Sequence, residues 1–264
     1  MASPDQREPH GPVNVETDVA AQMAAAYDAA QKGDYPAALD VWGPLAQAGV
    51  ARAQNNVGAC FAEGLGVERD YALALRWLTL AAEEGDPVGQ RNLAALYFKG
   101  EGVDRDQTRA AALYRDAAAA GDGPAQDMLS WMLLEDSGVL FDPVESRRWA
   151  LAAAEQGIAA AMTRMGMIYY NALGVDRDPA VAVAWWAKAA AHGDADAQAM
   201  LGAAYILGIG LARDGVAALS WLLRAQAGHS LLANKFLKSA RSALSADEIA
   251  EAERRAAAPL EPVL

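Results

Sequence analysis

The sequence predicts an all-α protein built from stacked helix–loop–helix hairpins, and three observations carry that expectation. Of 264 residues, 64 are alanine; apolar residues make up 53% but aromatic ones only 7%, so the core is made of small, helix-favouring side chains packed closely. Several residue types share one period of 36: Asp70, Asp106, Asp142, Asp178 and Asp214; Gly66, Gly102, Gly138, Gly174 and Gly210; Trp77, Trp149, Trp185 and Trp221, with Leu113 at the missing step. Gly85, Gly121, Gly157 and Gly193 follow the same period, and Gly228 falls one residue early. Within each period the apolar residues recur at helical spacing.

In chain order, residues 1–14 are Pro-rich and polar and read as a disordered tail. Residues 15–50 read as an N-terminal helical hairpin: a helical run over 15–32, then a second helix within 33–49, where Trp42 stands in for the tryptophan column. Residues 51–230 hold five units of 36, numbered here from position 1 at Ala51. Positions 3, 7, 10 and 11 form the inward stripe of the first helix. Position 7 is Val57, Leu93, Leu129, Met165 and Leu201, and position 8 is always small: Gly58, Ala94, Ser130, Gly166 and Gly202. A small residue there lets the second helix approach closely. A Gly-x-Gly ends the first helix. The aspartate column should cap the second helix, and Pro143 and Pro179 follow it at the first helical position. The second helix offers a bulky residue at position 27, the tryptophan column, which should be buried between hairpins. Residues 231–264 read as two capping helices and a tail, split near Ser245, which forms an S-x-x-E capping box with Glu248.

These columns resemble the Sel-one-like repeat family, a relative of the tetratricopeptide repeats. Unit one carries AxAQ at 51–54, then Gly58, Phe61, Gly64, Gly66, Val67, Asp70, Ala74, Trp77 and Gly85. Unit three diverges most, with Leu133, Asp136 and Ser146 at family positions. The resemblance implies a right-handed α/α superhelical solenoid that serves as a protein-interaction scaffold.

Composition excludes several functions. One cysteine leaves no disulfide framework, and three histidines leave little for a metal site, so no cofactor or metal is expected. A net charge of −12 and a pI of about 4.7 disfavour nucleic acid as a partner. The N-terminus shows no apolar signal region, and the longest uncharged apolar-rich runs, 179–187 and 215–223, fall far short of the roughly 20 residues of a membrane span. A cytoplasmic monomer without membrane contact is the expectation. Cys60 lies in an apolar column and reads as a buried thiol, while His192 and His229 lie in turns with no second ligand pair. The acidic–Arg–Asp loops at 68–70, 104–106 and 176–178 read as a solvated row with weak ion pairs.

In a tetratricopeptide-like stack, first-helix positions 2, 5, 9, 12 and 13 face a concave groove. Unit one contributes Arg52, Asn55, Ala59, Ala62 and Glu63, and unit two Val88, Arg91, Ala95, Phe98 and Lys99. Unit three gives Pro124, Asp127, Trp131, Leu134 and Glu135; unit four gives Ala160, Thr163, Met167, Tyr170 and Asn171; unit five gives Asp196, Ala199, Ala203, Ile206 and Leu207. Phe98, Trp131, Met167, Tyr170 and Ile206 form an expected track of apolar anchors for a partner peptide or helix. Groove charges are +2 over units one and two (Arg52, Arg91 and Lys99 against Glu63) and −3 over units three to five, so a peptide should lie with its acidic end over units one and two and its basic end over units four and five. Two alternatives stand beside this: the apolar groups lean into inter-repeat packing, or the C-terminal helix fills the groove. The alternative function, binding or hydrolysis of β-lactams as in cysteine-rich relatives of the resembling family, depends on cysteine pairs that this chain lacks.

Overall fold

The computed structural model describes residues 15–135 and 139–260. The tail expected at 1–14, with Asp136 and Gly138 of unit three, lies outside the described residues. Among those described there are fourteen helices and no strand. The chain forms two compact units, the first ending at Leu113 and the second starting at Tyr114. The first holds α1 (Val15–Gln31), α2 (Tyr35–Gln47), α3 (Ala51–Glu63), α4 (Tyr71–Glu83) and α5 (Pro87–Lys99); the boundary falls within α6 (Gln107–Ala119). The second holds α7 (Gly123–Met132), α8 (Pro143–Glu155), α9 (Ala159–Tyr170), α10 (Pro179–Ala191), α11 (Ala195–Leu207), α12 (Gly215–Ala227), α13 (Ala233–Ser242) and α14 (Ala246–Ala257). From α1 to α5, and again from α7 to α13, consecutive helices pack on each other. This is an α/α solenoid of helix–loop–helix repeats.

The aspartate column caps the second helices. Asp70 accepts from Leu73 N at 3.0 Å, Asp106 from Arg109 N at 2.8 Å, Asp142 from Glu145 N at 2.9 Å, Asp178 from Val181 N at 3.0 Å and Asp214 from Ala217 N at 2.9 Å. A second row, at position 36, caps the first helices: Asp86, Asp122 and Asp194 accept from Gly89, Ala125 and Ala197 at 2.7, 2.9 and 2.7 Å. The glutamine of AxAQ has a matching task at the opposite helix end. Gln54, Gln126 and Gln198 donate to the carbonyls of Ala46, Ala118 and Ala190 at the C-termini of α2, α6 and α10, adding a second donor to the N–H of Gly49, Gly121 and Gly193 that these carbonyls also accept.

Each hairpin closes through position 8. A Cβ on Gly58 would lie 2.7 Å from Leu78, one on Gly202 would lie 2.7 Å from Leu222, and one on Gly166 would overlap the Trp186 indole. Unit three answers differently: Ala150 is small, and Ser130 fits opposite, with the Ser146 hydroxyl donating to the Ser130 carbonyl at 2.8 Å. The bulky buried column is therefore position 28, not the tryptophans at 27. Trp186 is 5% exposed, whereas Trp77, Trp185 and Trp221 are only half-buried, and Trp149 alone of the expected set is buried. The half-buried rings carry cations one turn on: Lys188 Nζ lies 4.6 Å from the Trp185 centroid and the Arg224 guanidinium 5.7 Å from that of Trp221.

Two residues other than glycine hold left-handed backbone where sister repeats use glycine. Ala172 (φ 59°) occupies position 14, held by Gly64, Gly100 and Gly208 in three other units. His229 (φ 65°) occupies position 35, held by glycine in units one to four. The displaced Gly228 serves packing instead, since a Cβ there would meet the Ala195 methyl at 2.7 Å. Side chains in this region cost about 1–2 kcal/mol. Ala172→Gly and His229→Gly should therefore each raise the thermal midpoint by roughly 2–4 °C in scanning calorimetry, net of glycine's entropy loss.

Position 28 also ranks the tryptophans. Trp186→Ala should cost about 3–5 kcal/mol, the range for emptying a buried aromatic site, and Trp185→Ala about half of that. Urea denaturation of the two variants measures the difference; equal losses would restore position 27 as the core column.

Candidate functional site

The expected groove residues divide between the two units. In the first, Arg52 Nε donates to Asp86 Oδ2 at 2.6 Å, so its charge is engaged by the cap of α5. Asn55 is 3% exposed and accepts from Asn92 Nδ2 at 2.8 Å; it is an interior residue, not a groove surface. Thr163 and Ala199 are buried likewise, so position 5 packs inward in three of the five units, with Asp127 half-buried. Lys99 is exposed beside Glu101, Arg91 is half-buried, and the Arg105 guanidinium lies 5.6 Å from the half-buried Phe98 ring.

In the second unit the remaining candidates surround two cavities. One, of about 280 Å³, is bounded by Met167, Tyr170 and Asn171 at the end of α9, by Ala203 and Leu207 on α11, and by Phe236 on α13. Asn171 is its one polar side chain apart from the Tyr170 hydroxyl and the Trp186 indole nitrogen. Met167 (38% exposed) and Leu207 (49%) stand open at its rim. The Tyr170 ring packs on Trp186 at 5.5 Å between centroids and is flanked by Arg177 at 5.0 Å. Ile206 is not an open anchor. It packs into the cluster that Leu232, Phe236 and Leu237 of the C-terminal segment form with α12, so that segment covers one end of the expected track.

The second cavity, of about 250 Å³, lies between Trp131, Leu134 and Glu135 on one side and Met167, Asp194 and Asp196 on the other, with Arg164 in its wall. Arg164 Nη2 sits 3.1 Å from Asp127 Oδ1, an ion pair between neighbouring repeats, yet Arg164 Nε has no hydrogen-bond partner. Burial pushes the Asp127 carboxyl above the usual carboxylate range, against the pull of Arg164 and with a further push from Asp194. Burial likewise draws the Arg164 guanidinium down, opposed by Asp127 and Glu135. Each of the two α11 carboxylates has one oxygen engaged: Asp194 caps its helix, and Asp196 accepts from Ser230 Oγ at 2.6 Å.

Other candidates resolve structurally. Cys60 is buried, and burial pushes its thiol up to about 11, far from the thiolate a nucleophile requires. In the loop row expected to hold weak ion pairs, Arg69 and Arg177 turn to backbone carbonyls, as Arg213 of the last unit also does, and Arg105 lies against Phe98. Arg177 donates to the Tyr170 carbonyl at 3.0 Å, and Arg69 and Arg213 to those of Glu63 and Leu207 at 3.4 Å, closing first-helix C-termini. Among the described residues no cluster of His, Cys, Asp or Glu could hold a metal, and no helix is long and apolar enough to cross a membrane.

A Sel1 repeat family model matches residues 51–86, 87–122, 123–158, 159–194 and 195–225. The chain belongs to the Sel1 repeat family. It is 30% identical to a Sel1 repeat protein from Oxalobacter formigenes, covering 89% of this chain and 98% of that one with a TM-score of 0.76. It is 24% identical to c5321, a protective antigen of uropathogenic Escherichia coli strains with an SLR fold, covering 90% of this chain and 68% of that one (TM-score 0.38). It is 20% identical to the immunity protein Pa5087 from Pseudomonas aeruginosa, covering 80% and 84% (TM-score 0.44). A search of curated proteins found no match. The Sel1 repeat fold is of the protein-interaction scaffold type.

The buried ion pair gives a pH test. Asp127 has a folded pKa above its unfolded value, so its contribution to stability is fullest below the unfolded pKa and declines as pH rises through the folded one. Arg164→Leu removes the pull that limits this decline and strands the carboxylate. The variant's loss of stability should therefore be larger at pH 7 than at pH 4, as measured by urea midpoints at both.

Proposed function

We propose that this Sel1 repeat chain is a protein-binding module whose second unit holds a segment of a partner protein against the exposed sides of α7, α9 and α11. The observation that carries the reading is the apolar cavity with Met167 and Leu207 open at its rim. Two large apolar side chains exposed beside a concave apolar surface are costly to leave in water and useful to a partner. Trp131, Met167, Tyr170 and Asn171 are the proposed contact residues, joined by Leu207. An enzymatic reading finds less support, because the chain's single thiol is interior and protonated at neutral pH.

The test begins with the intact chain as bait and mass spectrometry of what it retains. For the partner so found, Met167→Glu should weaken binding by about 2 kcal/mol or more in calorimetry, the scale of a central apolar anchor. Leu80→Glu, at an exposed leucine of α4, should leave it unchanged. Equal binding by Met167→Glu and the wild type would remove the second unit's cavity as the site.

A further inference from the structure

The two cavities of the second unit differ in chemistry and share a wall. Met167 lines both. On one side of it the lining is aliphatic and aromatic. On the other, Trp131 and Glu135 line the cavity together with Asp194 and Asp196, and the guanidinium in its described lining, Arg164, is already paired with Asp127. Among the described residues, three carboxylates therefore line a recess whose one cation, Arg164, is paired with Asp127 and also held by Glu135, and an indole stands beside them. Such a recess attracts a cationic side chain through both the carboxylates and the ring.

Building on the proposed function, we infer that the occupant is a partner segment carrying a lysine or arginine and a bulky apolar residue at fixed separation. The cation enters beside Trp131 among Glu135, Asp194 and Asp196. The apolar side chain enters between Met167, Leu207 and Phe236. α7 and α9 are packed neighbours, and the cavities lie on either side of Met167, so the two groups should stand roughly 8–10 Å apart, one helix spacing. That is about three residues of extended chain or about six to seven of a helix. The apolar anchor supplies affinity, and the carboxylates supply direction and choice of partner.

The experiment uses the full chain, immobilised, and a phage-displayed library of random dodecapeptides; selected peptides are then synthesised and measured by fluorescence anisotropy. The expected peptides carry Lys or Arg at that separation from Leu, Ile, Phe or Met. They should bind Met167→Asp and Leu207→Asp at least tenfold more weakly than the wild type. They should also bind Glu135→Lys at least tenfold more weakly, an effect that shrinks in high salt. Glu135 is exposed, and thermal melts of each variant establish that it folds. Peptides without a basic residue, sensitive to Met167→Asp but indifferent to Glu135→Lys, would overturn this inference and leave the proposed function standing. Peptides indifferent to both Met167→Asp and Leu207→Asp, or no selected peptide at all, would overturn both. A wild-type chain that dimerises at micromolar concentration, with Met167→Asp monomeric, would make a second copy the occupant and also overturn the inference.

Discussion

The hairpins stand on one steric condition: two helices approach closely only where a side chain has been removed to admit another. Position 8 supplies the space and position 28 fills it. Gly58 admits Leu78, Gly202 admits Leu222, and Gly166 admits the Trp186 indole. Where position 28 shrinks to Ala150, position 8 grows to Ser130, and the spare volume goes to a hydroxyl pair at 3.0 Å. The sum is held while the parts vary, as close packing requires. Everything else follows from that spacing. The caps at positions 20 and 36 and the glutamine at position 4 satisfy helix ends brought near other chain segments, where water would otherwise have to serve them.

What the sequence made legible was whatever repeats as an identity. Aspartates and loop glycines recur as the same letter, and the glutamine at position 4 does so in four of five units, so the period, the helix starts and the Asp caps could be read directly. Position 28 recurs as a size matched to a partner, through Leu78, Ala150, Trp186 and Leu222, and offers no identity to align. The conspicuous tryptophans at position 27 drew the reading one residue away, which on a helix is a rotation of about 100°. Those rings end up half-covered, with cations lying against two of them. His229 misled in the opposite sense: the glycine letter moved by one while the left-handed backbone stayed in place.

The groove was legible in part for a geometric reason. Treating the first helix as two-faced made position 5 a surface. In a stack the same helix meets its hairpin partner on one side and neighbouring repeats on another, so Asn55, Thr163 and Ala199 are enclosed. Positions 9, 12 and 13 remain on the uncovered side, and Trp131, Met167, Tyr170 and Asn171 are found around cavities there. Phe236 and Leu232 had no periodic signal, because they belong to the segment after the last repeat, and that segment also accounts for the covering of Ile206.

This division of surfaces explains where the chain is free to vary. Position 3 is alanine or glycine in all five units, and position 7 is a medium-sized aliphatic residue or methionine, because both are enclosed on several sides. Position 9 runs Ala59, Ala95, Trp131, Met167, Ala203, and position 13 runs Glu63, Lys99, Glu135, Asn171, Leu207. Position 13 is exposed in every unit and position 9 half-buried or exposed, so both are less constrained than positions 8 and 28. The apolar cavity arises from such a change: bulk at Met167 and Tyr170 is followed in the next repeat by Ala203, and the missing volume is left open with Leu207 and Phe236 at its edge. A cavity made by contrast between neighbouring repeats, on a stack whose core compensates each such contrast within its own hairpin, places the adaptable part of the molecule on a rigid one, and that limits the ordering cost of receiving a partner.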